Sequence, residues 1–179
     1  MTKRYILTGT PGSGKTSIIH FLKQLGYVVV YEAATDLIAS QQQVGILEPW
    51  TFPSFIDQIT RLQIERQLEA DPTSKLQFFD RSPFCTYALS IYLKYPIPSV
   101  LQEEIQRIKE LKIYEKQVFF IENLGFCEPS SARKIDFQEA LRFEKIHEEV
   151  YRNFGYECIK IPPLSLEERV KLIELMISK

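Results

Sequence analysis

The stretch Gly9-Thr10-Pro11-Gly12-Ser13-Gly14-Lys15-Thr16 lies between two runs of different periodicity. Before it, Lys3 to Thr8 (KRYILT) is a short β-rich run that ends directly in Gly9. After it, Ile18, Ile19, Leu22 and Leu25 recur at helical spacing, and Gly26 supplies a stop. A chain that leaves a parallel strand, wraps through glycines and enters a helix points successive backbone N–H groups into the turn. Side chains at the wrapping positions would block an anion held there, which accounts for Gly9, Gly12 and Gly14. The helix beginning near Lys15 adds its positive dipole end. Lys15 has the reach for β- and γ-phosphates, and the Thr16 hydroxyl suits magnesium. The spacing G-x-x-x-x-G-K-[ST] is that of a phosphate-binding P-loop. Gly9, Thr10, Pro11, Gly12, Ser13, Gly14, Lys15, Thr16 and Ser17 are therefore the candidate nucleotide-binding residues.

Working outward, strands and helices alternate. YVVVY (Tyr27–Tyr31) has a β-branched core without polar alternation, which predicts a strand covered on both faces. Ala33 to Gln43 reads as a helix that stops near Gly45, and Pro49 and Pro53 frame a loop carrying Trp50. Phe55, Ile59, Leu62 and Leu68 mark a long helix that ends before Asp71-Pro72. LQFFD (Leu76–Asp80) and QVFFIE (Gln117–Glu122) are further strands, separated by helical segments over Pro83–Tyr95 and Ser99–Lys112. The segment Gly125–Lys134 is polar and reads as a mobile loop. Phe137 to Phe154 returns to helix, closed by Gly155, and YECIKI (Tyr156–Ile161) is a fifth strand. Ser165 and Glu168 form an S-x-x-E capping pattern that opens a last helix, with Leu166, Val170, Ile173 and Ile177 facing inward. The alternation predicts an α/β domain of three layers around a parallel sheet, with residues 1–179 as a single unit.

The chain has 179 residues, with 22 Lys+Arg against 23 Asp+Glu and a net charge of -1, so no whole-molecule field draws it to nucleic acid or anionic lipid. No basic stripe marks a nucleic-acid partner, and no run approaches the roughly 20 apolar residues that span a membrane. The apolar run at the start is shorter than the about 7–15 residues of a signal peptide, which implies a cytoplasmic protein. Cys85, Cys127 and Cys158 are odd in number and widely spaced, as expected of buried thiols in a reducing compartment. His20 and His147 stand apart from one another and from the cysteines, which argues against a zinc site. Nothing in the sequence fixes an oligomeric state.

The phosphate loop alone leaves switch, motor and kinase open, and the strand ends narrow the choice. Asp80 ends its strand at the sheet edge where Gly9 opens, the expected place for magnesium coordination, so Thr16 and Asp80 are the candidate metal ligands. The other reading of Asp80 is a cap for the helix that follows. Arg81 would sit beside the phosphates, or else form a surface ion pair. Glu32 ends the second strand in the same way and, with Asp36 one turn on, would look into the crevice. A carboxylate there can take the proton of an incoming hydroxyl; alternatively it complements a helix dipole. Trp50, Phe52, Phe55 and Tyr87 are candidates for the wall of an acceptor pocket, with core packing as the alternative. Arg133, followed by Lys134 on the polar loop, is a candidate lid arginine able to close over a γ-phosphate.

GTPGSGKT, YEAATDLI, FFDRSPFCTYA, the late Arg133 and GYECIKIPPLSLEERVKLI together resemble the P-loop ATPase/kinase domains related to the nicotinamide-riboside kinase of the bifunctional NAD-biosynthesis regulator. The Asp80-Arg81-Ser82 triplet is also similar to that of deoxynucleoside and nucleotide kinases. The resemblance implies a five-stranded sheet in the order 2-3-1-4-5, a lid at about 125–136 that carries arginines, and MgATP as donor. It places Lys15 on the phosphates, Thr16 and Asp80 on Mg2+, Glu32 as base, Arg81 as an anchor for the transferring or acceptor oxygens, and Arg133 in the lid. Relatives commonly carry Arg where Thr35 stands.

The expected function is transfer of a γ-phosphoryl group from MgATP to a nucleoside- or nucleotide-like small molecule. A non-transferring module that responds to ATP or GTP is the alternative, and simple ATP hydrolysis a third. A guanine-selective N-K-x-D loop is missing, which favours ATP while leaving GTP possible.

Overall fold

A computed structural model describes residues 2–124 and 137–178. Five strands, β1 (Lys3–Gly9), β2 (Val28–Val30), β3 (Leu76–Asp80), β4 (Gln117–Ile121) and β5 (Glu157–Ile161), form one sheet in the order β2-β3-β1-β4-β5. Every neighbouring pair is parallel. Parallel pairing requires a crossover between strands, which the helices provide. They are α1 (Lys15–Gln24), α2 (Ala33–Gln43), α3 (Ser54–Glu69), α4 (Pro83–Leu93), α5 (Ser99–Leu111), α6 (Phe137–Asn153) and α7 (Leu166–Ile177). The Pro49–Trp50–Thr51 stretch, expected as loop, makes one turn of 3-10 helix.

Alternation along β1 divides the core in two. Ile6 faces one side with Phe79, Val118 and the apolar faces of α4, α5 and α6. Tyr5 and Leu7 face the other, with Phe78, Phe119 and Ile121 against Ile18, Ile19 and Leu22 of α1 and Val170 and Ile173 of α7. Each buried side chain of this size contributes about 1.5–3 kcal/mol relative to an exposed one. A third, smaller cluster of Ala33, Ile38, Phe55 and Ile59 joins α2 to α3.

Most predicted elements appear within two residues of their expected ends, and three readings need correcting. YVVVY contributes only Val28–Val30 to the sheet. Val29 and Val30 pack against opposite faces, yet all three valines stay half-buried because β2 is an edge strand. Leu25 and Leu68, expected to face inward, are exposed. Near the end of α3 the buried residue is instead Gln67, whose carbonyl oxygen accepts from Arg107 Nη2 at 2.6 Å. The S-x-x-E signal does form a capping box on α7, with Ser165 Oγ and the Glu168 carboxylate each serving the other's backbone N–H.

Gly9 has a reason to be glycine beyond the expected one. A Cβ there would lie 2.3 Å from the carbonyl oxygen of Ile121 on β4, and φ is 130°. The neighbouring strand by itself excludes a side chain there. Gly9→Ala is expected to lower unfolding stability by about 3 kcal/mol, from overpacking and backbone strain combined. Urea unfolding followed by circular dichroism checks this, and a loss well below 1 kcal/mol would contradict the assigned contact.

Candidate functional site

Because the strands are parallel, their carboxyl ends share one edge, and the charged residues singled out in the sequence gather there. Asp80 pairs with Leu7 in the β3–β1 register, two residues before Gly9, and the Arg81 N–H donates to the Leu7 carbonyl at 3.0 Å. Glu32 follows β2 and is the N-cap residue of α2.

The loop Gly9–Lys15 turns through Gly12 and Gly14, both with positive φ, into α1. Gly14 is the N-cap, no side chain caps the helix, and its first turn carries no acid. The N-terminal N–H groups and dipole are thus left for an anion. Lys15 is buried and curls over its own loop. Its Nζ donates to the Thr10 carbonyl at 2.6 Å, the Gly9 carbonyl at 3.2 Å and Ser13 Oγ at 3.3 Å. Thr10 Oγ1 donates to Glu144 on α6 at 2.9 Å, while Thr16 and Ser17 are exposed. A phosphate oxygen is a stronger acceptor for an ammonium than a neutral carbonyl is.

Asp80 is buried, and its Oδ1 has no hydrogen-bond partner among the described residues. Burial, reinforced by the negative charge of Glu32, pushes its carboxyl up to about 6, against opposing contributions from Lys15 and Arg81. A buried carboxylate oxygen with a spare lone pair, beside a loop that ends in an exposed Thr16 hydroxyl, fits a hard divalent cation. The residues present are thus compatible with magnesium.

Arg81 is held in an uncommon backbone conformation, φ 71°, as functional-site residues sometimes are. Its nearly buried guanidinium places Nε 2.6 Å from Glu32 Oε1, a charge contact rather than an aligned hydrogen bond. Burial opposes its charge, but Glu32 foremost, with Cys85 and Asp80, keeps the group protonated. The surface ion pair considered for Arg81 is therefore a buried one. Glu32 Oε2 accepts from Thr35 Oγ1 at 2.8 Å, so the threonine that stands in place of arginine is bonded to the acid.

Two side chains that the sequence did not mark complete the cluster. His147 on α6 is fully buried; burial first, and then the charge of Arg81, pushes it down to about 3, so the ring is neutral. Its Nδ1–H donates to the Phe143 carbonyl at 2.9 Å, which leaves Nε2 to accept from Arg81 Nη1 at 3.3 Å. Gln63 on α3 accepts at Oε1 from Thr86 Oγ1 at 2.8 Å.

These groups bound a cavity of about 340 Å³ between α2, α3, α4 and α6, with Pro11 of the loop also in its lining. Its polar end holds Glu32, Arg81 and His147, and its walls carry Trp50, Phe55, Tyr92 and Phe143. Trp50 and Phe55 thus lie where expected. Phe52 is exposed, and Tyr87 packs in the core against Phe154, so neither is a wall residue. Asp36 does not face the crevice either, because Arg66 Nη2 binds it at 2.6 Å on the outside. Glu139, Phe143 and His147 line the cavity at intervals of four residues, a stripe along one face of α6. Arg133, Lys134, Cys127 and the expected lid at 125–136 lie outside the described residues.

A parallel sheet in this order, with a glycine-rich turn joining its central strand to an uncapped helix, defines the P-loop NTPase fold. More narrowly, the chain belongs to the AAA_28 family, whose model is described as an AAA domain and matches residues 4–169. A solved structure described as NadR protein in complex with NAD and AMP-PNP superimposes with a TM-score of 0.71 at 11% identity. The match covers 99% of this chain and 50% of that one, so the chain spans half the length of that protein, and the likeness is one of fold. Comparison with curated protein sequences finds no match. The family and the fold likeness agree with the resemblance and the sheet order drawn from the sequence. Among the described residues, no helix is long and apolar enough to cross a membrane.

The raised carboxyl of Asp80 makes stability depend on pH with a definite sign. The folded state binds a proton that the unfolded chain has released, so this group's contribution declines as pH rises from about 4 to about 6 and stays lost above it. Asp80→Asn removes that penalty. Its melting temperature, without ligand or divalent ions, is expected to match wild type near pH 4 and exceed it above pH 6. An equal or lower value at pH 7.5 would contradict the assigned burial.

Proposed function

We propose that the protein is a small-molecule kinase that transfers the γ-phosphoryl group of MgATP to a hydroxyl of a nucleoside-like acceptor, with GTP as a second possible donor. The observation that carries this reading is that one cavity of acceptor size has both the phosphate loop, through Pro11, and the charged groups Glu32 and Arg81 in its lining. In this reading residues 1–179 act as a single P-loop domain with a lid at about 125–136, in a reducing, cytoplasmic setting. The unpaired thiols of Cys85 and Cys158 fit that setting.

Residues Gly9 to Ser17 hold the triphosphate, and Lys15 leaves the Thr10 carbonyl to bind β- and γ-oxygens. Thr16 and Asp80 hold Mg2+, which when bound spreads the negative charge of the phosphates. Glu32 accepts the acceptor's hydroxyl proton, and Arg81, steadied by Glu32 and His147, anchors the transferring oxygens. Arg133 closes from the lid. Catalysis is then positioning plus charge neutralisation. The aromatic walls suit a flat ring, and Gln63 offers a hydrogen-bonding amide beside it. Among the described lining residues the charged groups are Glu32, Arg81 and Glu139.

A second reading is a module that binds nucleotide without transfer and changes its lid for a partner. The engagement of Glu32 by both Arg81 and Thr35 supports it, since an acid with two partners is less available as a base. Acceptor-dependent ADP formation across a panel of nucleosides and nucleotides separates the two. Glu32→Gln is expected to retain MgATP binding while lowering acceptor-dependent turnover by about 100- to 10,000-fold. Turnover within a few-fold of wild type would remove Glu32 as base. Lys15→Ala is expected to abolish measurable MgATP binding in titration calorimetry, and retained tight binding would contradict the role given to the loop.

A further inference from the structure

Arg169 lies on α7, far along the chain from the phosphate loop, yet it is one of the few buried charges in the protein, with 3% of its surface exposed. Its Nη1 donates to the Ser13 carbonyl at 2.7 Å, and its Nε to the Pro162 carbonyl at 3.1 Å. Nη2 is buried with no hydrogen-bond partner among the described residues. No described carboxylate stands within ion-pair distance; Glu122 is the acid whose charge reaches it, and burial outweighs that help, lowering the hold on the proton. Gly14 is fitted to this side chain, since a Cβ there would lie 3.2 Å from Nη1.

Two physical consequences follow. A peptide group is planar and trans, so the Ser13 carbonyl and the Gly14 N–H point in opposite directions. A guanidinium that grips the carbonyl turns that N–H away from itself. A buried cation without a counter-ion is also costly, and an anion placed one peptide away relieves the cost.

We infer that Arg169 is a positioning residue of the nucleotide site: it locks the Ser13–Gly14 peptide with its N–H turned toward the polyphosphate, whose charge compensates the buried guanidinium. This rests on the reading that the loop binds a nucleoside triphosphate. It adds a cation behind the loop to the Lys15 ammonium that lies over it. The ligand class is the polyphosphate itself, so ATP and GTP benefit alike, and a nucleoside without phosphates does not.

The test uses the full chain, 15N-labelled, with Mg·AMP-PNP as probe. Calorimetry gives affinity, and the Gly14 amide resonance reports the peptide's orientation. Arg169→Met keeps the stem and removes charge and donors. It is expected to weaken binding about 10- to 100-fold and to displace the Gly14 amide resonance in the free protein. Arg169→Lys, which restores the charge and one donor, is expected to bind a few-fold more weakly than wild type and more tightly than Arg169→Met. A folded Arg169→Met protein with wild-type affinity and an unmoved Gly14 resonance overturns the inference, since a merely structural arginine would lower the melting temperature alone. If the Met variant does not fold, the Lys variant decides: a few-fold weaker affinity with a displaced resonance supports the inference, and neither change overturns it. Failure of the wild-type chain to bind Mg·AMP-PNP strikes the nucleotide reading itself and is seen before any variant is made.

Discussion

Charge carried out of water at the carboxyl ends of parallel strands is the constraint around which the rest of the molecule is arranged. Lys15, Asp80, Arg81 and Arg169 are all buried or nearly so, in a chain whose other charges mostly stay at the surface. Such groups persist only where neighbours compensate them. Lys15 leans on three oxygens of its own loop, and Arg81 on Glu32 and His147. Asp80 Oδ1 and Arg169 Nη2 each lack a hydrogen-bond partner among the described residues. Those two atoms belong to groups of opposite charge, one at the end of β3 beside β1 and one on the guanidinium that holds the Ser13 carbonyl. A ligand that combines a polyphosphate with a divalent cation would complement both.

The fold is what makes this concentration of charge possible. The all-parallel sheet brings the ends of β1, β2 and β3 to one edge, and the buried faces of α1 and α7 fix the loop from below. Gly9 lets β1 run against β4 without a side chain between them, which keeps the turn close to the sheet. On the opposite face α6 packs across α4 and sends His147 to Arg81 and Glu144 to Thr10. One helix thereby touches both the phosphate loop and the cavity. The segment that precedes α6 in the chain is the one expected to carry the lid.

The phosphate loop, the strand–helix alternation and the strand-end acids were legible because each is a local pattern whose chemistry depends on spacing alone. The capping box of Ser165 and Glu168 belongs to the same class. What escaped the sequence depends on contacts between distant segments. Asp36 looked like a crevice residue until Arg66, on the next helix, took it to the outside. Tyr87 had the chemistry of a pocket wall, but Tyr92 and Phe143 occupy it, because the rotation of α4 and α6 about their axes decides which aromatic faces in, while Phe52 stays exposed after the 3-10 turn. The four-residue stripe Glu139, Phe143, His147 was visible as a pattern, though nothing local distinguished it from an ordinary core stripe. Arg169 stood within a quoted motif, and only the fold places it against Ser13.

Whether the turn from Gly9 to Thr16 receives a triphosphate is answered by a crystal structure of the full chain with magnesium and AMP-PNP. The predicted result has the phosphates wrapped by that turn, Lys15 Nζ moved from the Thr10 carbonyl onto their oxygens, and the metal between Thr16 and Asp80. Nucleotide bound elsewhere, or a turn left empty with Lys15 still on Thr10 at saturating ligand, would contradict it.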